Sequence, residues 1–102
     1  MTTFKYVDLL KVIANHYGLE NQCKKLTEEM AELTVAVHHL RDRQGDKYKI
    51  EFCEEFADVM ILMEQLALLM PTEYKALVEE YKIYKVQRQV SRIDEDKKRC
   101  QK

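Results

Sequence analysis

A chain of 102 residues, 46% hydrophobic and 34% charged, has an ordinary globular make-up and room for one domain with a modest core. Seventeen basic residues against eighteen acidic ones leave a net charge of −1, so no face-wide attraction for a nucleic-acid polymer is expected. Two glycines and one proline leave few places to break a helix, and the fold class read from this is all-α. Cys23, Cys53 and Cys100 are odd in number and far apart, with no C-x-x-C or zinc spacing; they read as reduced thiols in a cytoplasmic protein. The N-terminus lacks a charged segment followed by an apolar core, so no signal peptide is expected. The longest apolar stretch, 59–70, is interrupted by Glu64 and Gln65 and is too short to span a membrane.

Four segments carry a helical period. In the first, about 3–17, Phe4, Val7, Leu10, Ile13 and Tyr17 recur at three- and four-residue steps, and Gly18 reads as a C-cap. In the second, about 19–41, Leu19, Cys23, Leu26, Met30, Leu33, Val37 and Leu40 make an unbroken seam that predicts lengthwise packing. Residues 41–47, with Gly45 and Asp46, read as a loop. The third segment, about 49–70, has Phe52, Phe56, Val59, Met63, Leu66 and Met70 as its stripe. Beyond Asp58 it is apolar nearly all round, which predicts a central position in a bundle. Pro71 breaks the pattern and Thr72 is a candidate N-cap for the fourth helix, about 73–93. The apolar residues of that helix begin as Tyr74, Leu77, Tyr81 and Tyr84 and move to another face with Val86, Val90 and Ile93. Two apolar faces predict two partners, one of them in another subunit. The remaining 94–102 read as a solvated, fraying tail. No internal repeat or domain boundary is visible, so 1–102 reads as one domain.

The chemistry is carried by two acidic clusters, Glu28-Glu29-Met30-Ala31-Glu32 and Glu54-Glu55-Phe56-Ala57-Asp58. Glu29 with Glu32, and Glu55 with Asp58, are i, i+3 pairs, and each pair lies on one helix face. Two such helices side by side offer four carboxylates. At about 100° per residue, Glu29 falls roughly 60° from the centre of its helix's apolar stripe, on the rim, with Glu32 just outside. Glu55 falls about 40° from the axis of its stripe, inside the apolar face. An ionised carboxylate there is costly without a cation, and converging carboxylates repel one another. A hard divalent cation answers both problems, and magnesium suits an all-oxygen site that takes its other ligands from water and phosphate. A single E-x-x-E is commonplace on helix surfaces; two on adjacent helices, one inside an apolar face, are more specific. A di-iron bundle needs Glu-x-x-His pairs, and Val35 and Ala36 stand three residues before His38 and His39. These histidines and His16 read as surface or packing residues.

The same clusters match a family signature, E-E-x-x-E followed by E-x-x-D. Here Glu28, Glu29 and Glu32 precede Glu55 and Asp58, with 22 residues between Glu32 and Glu55. The chain resembles the MazG-like branch of the all-alpha nucleoside triphosphate pyrophosphohydrolases over about residues 17–93. The stretch Tyr17-Gly18-Leu19-Glu20-Asn21-Gln22 is similar to the small single-domain members found in phages and firmicutes. The resemblance implies a four-helix MazG-like protomer, homodimeric or homotetrameric. It implies hydrolysis of a (d)NTP to the (d)NMP and pyrophosphate, in the housekeeping of nucleotide pools. By it, Glu29, Glu32, Glu55 and Asp58 hold magnesium, with manganese as the substitute, and Glu28 holds a second ion or orients water. Lys85, Arg88 and Arg92, which share a face of the fourth helix, are the phosphate-binding candidates together with Lys25. Gln22 stands where the family has a glutamine near the substrate. A dUTPase-like sister activity and a non-catalytic helical nucleotide-sensing or interaction module are the alternatives. The base and sugar preferred are not legible in these residues.

Overall fold

The computed structural model describes residues 5–100 and, within them, three helices and no strand: α1 (Tyr6–Asp42), α2 (Asp46–Leu69) and α3 (Thr72–Cys100). The expected helix start at Thr3 and the stripe residue Phe4 lie outside the described residues. The chain divides into two compact units after Met70.

The first unit is an α1–α2 hairpin whose α1 is broken at Gly18. There φ is 83° and ψ 168°, a conformation outside the helix and close to the region that only glycine occupies without strain. The helices expected over 3–17 and 19–41 are therefore two arms of one element, 6–17 and 19–42, on either side of this residue. The break is sharp. Sixteen residues of straight helix would separate residues 6 and 22 by about 24 Å. Yet Tyr6 Oη donates to Glu64 Oε2 at 2.6 Å and Gln22 Nε2 donates to Gln65 Oε1 at 2.5 Å, neighbouring positions on α2. The 6–17 arm thus turns back along α2, where Leu10 and Ala14 become buried. Asn21 Nδ2 donates to the Tyr17 carbonyl at 2.7 Å and satisfies one of the acceptors that the break leaves free.

The second arm of α1 runs antiparallel to α2. Gln22 meets Gln65, and His39 Nδ1 lies 3.0 Å from Glu51 Oε1 near the turn. The turn closes as Arg43 N–H donates to the His39 carbonyl at 2.9 Å, followed by Gly45 at φ 126°. Asp46 opens α2 three residues earlier than the hydrophobic pattern indicates, and an acidic residue suits a helix N-terminus. Tyr48 packs here beneath two cations, with Lys47 Nζ 4.9 Å and the Arg43 guanidinium carbon 5.6 Å from its ring centre. Both cations hold its phenol below the usual range, chiefly through hydrogen bonds.

Which face of α1 is buried differs from the expected seam. The buried positions of the second arm are Gln22, Glu29 and Ala36, at seven-residue spacing, flanked by half-buried Leu26 and Leu33. Cys23, Met30 and Val37, the middle of the apolar seam, are exposed. The helix is rotated about a quarter turn from the orientation that apolar burial alone would select. The cause is visible on α2, where Gln65 and Glu55 face the same contact and bring their polar counterparts inward. On α2, Val59 and Leu62 are buried, and Phe56, Met60 and Met63 are exposed.

The second unit is α3. It begins where the Pro71 carbonyl accepts from Tyr74 N–H at 3.0 Å, so Thr72 lies inside the first turn and is not the cap. It continues to Cys100, seven residues past the expected end at Ile93, with Arg99 paired to Asp96 one turn earlier and Lys82 to Glu79 at 3.3 Å. These exposed i, i+3 pairs add tenths of a kcal/mol each. None of the residues of α3 is buried. No helix among the described residues is long and apolar enough to cross a membrane.

A Cβ at Gly18 would meet no atom within 4 Å, so the demand for glycine is one of backbone conformation and not of space. Gly18→Ala is expected to lower stability by about 1–3 kcal/mol in urea unfolding. An unchanged midpoint would show that the chain does not break there.

Candidate metal centre

The turn-back of the first arm and the antiparallel second arm together create the site. Glu29 and Glu32 project from α1 and Glu55 from α2, and one carboxylate oxygen of each lies within 4.8 Å of the others. Of the four expected ligands the structure therefore gathers three. Asp58, one turn beyond Glu55, is exposed and lines the adjoining cleft beside Glu29; it stands outside the tight group. Glu28 is exposed on the outer side, 3.6 Å from Lys25 Nζ.

Burial makes this group unusual. Glu29 is only 8% exposed and sits deeper than the rim position expected of it, because α1 is rotated toward its polar line. Glu29 Oε2 and Glu55 Oε2 are both buried without a hydrogen-bond partner among the described residues. An acceptor left unpaired away from water is costly, and more so when it is charged. Glu29 Oε1 has a partner, Lys25 Nζ at 3.2 Å, and that pairing raises the lysine's pKa, with Glu28 adding to the effect. For Glu55, desolvation pushes the carboxyl above its ordinary range, helped by a hydrogen bond to Glu32 and by the charges of Glu32, Asp58 and Glu29. The donor set is all oxygen, acidic and partly dehydrated, and it fits a hard divalent cation such as magnesium or manganese.

Beside the carboxylates lies a cleft of about 760 Å³. One wall is apolar, with Ile13 and Tyr17 from the first arm and Ile61 and Leu62 from α2. Lys25, Glu29 and Asp58 line one region of it, and Asn21, Gln22 and Gln65 supply amides. Gln22 and Gln65, 6% and 2% exposed, are bonded to each other across the helices. Gln22 was a candidate from the sequence; Gln65, Asn21 and the apolar wall were not. The signal for Gln65 was present, as an uncharged amide in the most apolar stretch of the chain. The cleft itself had none, since it depends on how far the first arm folds back.

The remaining candidates, Lys85, Arg88 and Arg92, are exposed on α3, where the Arg88 guanidinium lies 5.6 Å from the Tyr84 ring centre. No family model, curated protein or solved structure matches the chain.

The raised carboxyl of Glu55 has a defined consequence for the metal-free protein. Its folded-state pKa lies above the ordinary value of 4.5, so the folded form holds the extra proton between the two values. Stability is then greatest below that window and falls as pH rises through it. Asp42, lowered by Arg41, acts in the opposite sense but below its ordinary 3.8, so the windows do not overlap. In chelator, the melting temperature is expected to fall as pH rises from about 4.5 toward neutrality. Glu55→Gln should flatten that slope and melt higher at neutral pH. An identical slope in the variant would show that Glu55 is solvated like a surface carboxylate.

Proposed function

We propose that this chain is a magnesium-dependent nucleoside triphosphate pyrophosphohydrolase of the MazG-like type, acting in the cytoplasm on nucleotide pools. The observation that carries the reading is the convergence of Glu29, Glu32 and Glu55, with two buried and unpartnered oxygens, at a cleft large enough for a nucleoside. Structural carboxylates of a helix pair have no reason to be dehydrated together, whereas a cation-binding set does. The E-E-x-x-E and E-x-x-D spacing, which resembles that family, points the same way.

In this reading Glu29, Glu32 and Glu55 hold the ion, Asp58 completes the set from the rim, and Glu28 serves a second ion or a water. When bound, the ion neutralises charge on the phosphates and makes a water more acidic. The cleft's apolar wall and amides receive the nucleoside and fix its distance from the carboxylates. Lys25 stands between the two, next to the phosphates. Lys85, Arg88 and Arg92 are the further phosphate-binding cations. Water attacks the α-phosphorus, the bond to the bridging oxygen breaks, and nucleoside monophosphate and pyrophosphate leave.

A homodimer or homotetramer belongs to the same proposal. The exposed Met30 and Val37 of α1 border a groove with Val59 of α2, and Phe56, Met60 and Met63 continue an open apolar surface. The apolar residues of α3, including Tyr74, Leu77, Tyr81, Val86, Val90 and Ile93, are each about half or more exposed. Apolar side chains left exposed in such number suit contact between proteins. A four-helix protomer, with the arms 6–17 and 19–42 counted separately, is the corresponding architecture.

Pyrophosphate release should be measured over canonical and modified dNTPs and NTPs, with magnesium and with EDTA. Magnesium-dependent release from at least one nucleotide is expected. Glu55→Gln and Asp58→Asn should lower kcat by about a hundredfold or more, beyond the loss usual for an outer partner of a metal site. Turnover that survives in both variants would remove the carboxylates from the chemistry, and a folded protein inert toward every nucleotide would favour a sensor or interaction role.

A further inference from the structure

Lys25 is placed to do two jobs that cannot be done at once. Its ammonium is 3.2 Å from Glu29 Oε1 and 3.6 Å from Glu28 Oε2, so it serves as counter-ion to the carboxylate that is most buried. It also lines the cleft that adjoins the cluster. Its side chain is 53% exposed, so the head is free to swing while the stem stays on the helix. Glu29 therefore has a resident cation on one oxygen and an unpaired, buried oxygen on the other.

We propose that Lys25 is an exchangeable counter-ion, held by Glu29 in the metal-free protein and handed to the triphosphate in the cleft when a divalent cation takes the carboxylates. The inference rests on the metal-centre reading above and goes beyond it. A dication and an ammonium sharing Glu29 repel each other, by about tenfold in affinity at roughly 6 Å in a water-like medium. The ammonium leaves because it is the mobile partner; Glu28 stays beside it at 3.6 Å, and a phosphate chain in the cleft that Lys25 lines offers the more highly charged partner. Two consequences follow. Lys25 competes with the bare cation, and its attraction for triphosphate appears only with the cation bound. Cation and triphosphate thus strengthen each other's binding through a residue that neither could recruit alone, and that coupling is reciprocal.

The test uses binding, with the full chain and no turnover. Free Mn²⁺ is followed by electron paramagnetic resonance, and inorganic triphosphate is titrated with and without saturating magnesium. Lys25→Met keeps the helix-favouring stem and removes the charge; Lys25→Gln is the second variant, and circular dichroism checks the fold of both. Relative to the unsubstituted chain, both variants should bind bare Mn²⁺ about tenfold more tightly. They should bind triphosphate more weakly by a similar factor with magnesium, and equally without it. A merely structural lysine would weaken Mn²⁺ binding or leave it alone, and either result overturns the exchange while leaving the metal centre standing. Mn²⁺ binding that is absent from the unsubstituted chain, or unaffected by Glu55→Gln, overturns the metal centre and the exchange together.

Discussion

The contact between α1 and α2 is organised around carboxylates that should not be there. Glu29 and Glu55 come from opposite helices, each with a buried oxygen that accepts no hydrogen bond. For Glu55, desolvation and the neighbouring carboxylates disfavour the ionised state. The rest of the hairpin is arranged so that this state is tolerated. Ala36 and Ala14, exposed 0% and 1%, let the backbones approach without adding bulk. Gln22 and Gln65 satisfy each other across the interface, so the remaining buried polar pair adds no further unpaired acceptor there. Among the described residues, Lys25 supplies the one positive charge in contact with Glu29.

The break at Gly18 converts this contact into a cleft. Had α1 continued straight, Ile13 and Tyr17 would be carried away from Ile61 and Leu62, and the carboxylates would face open solvent on that side. Because the arm folds back, an apolar wall stands beside a charged cluster, and a ligand with one flat apolar end and one anionic end matches both. The glycine, which a sequence reading assigns only to ending a helix, is thus also what shapes the site.

The elements were largely legible in the sequence because helix period, Pro71 and the scarcity of glycine all act locally. The acidic clusters were legible for the same reason, since i, i+3 spacing puts carboxylates on one face whatever surrounds them. The rotation of α1 was not. A seam of Leu19, Cys23, Met30 and Val37 argues for burial by transfer energy, but Gln65 and Glu55 of α2 face the contact, and Gln22 and Glu29 meet them there instead. Gln65 belongs to the same class. Its place in an apolar run signals a partner, and its identity as Gln22, 43 positions away, is decided by the register of the hairpin. The expected fraying tail gave way to a helix through Cys100 because three acidic residues, 94–96, followed by three basic ones, 97–99, support i, i+3 pairing as readily as they solvate a coil.

The rotation also bears on why a carboxylate site and an exposed apolar seam occur on one helix. With about a quarter turn between them, α1 can turn its polar line to α2 and its apolar line outward. In a lone hairpin the arrangement is unfavourable on both counts, since charge is buried and hydrocarbon is left wet. In the proposed assembly, packing of copies through Met30, Val37, Phe56 and Met63 would recover the hydrocarbon term, and a cation would relieve the charge term. Each then makes the other more effective: a hairpin clamped from outside holds its carboxylates close, and carboxylates drawn together by a cation fix the spacing of the helices that the partner grips. Assembly and cation binding would in that case be linked through the α1–α2 separation, a single coordinate on which both act.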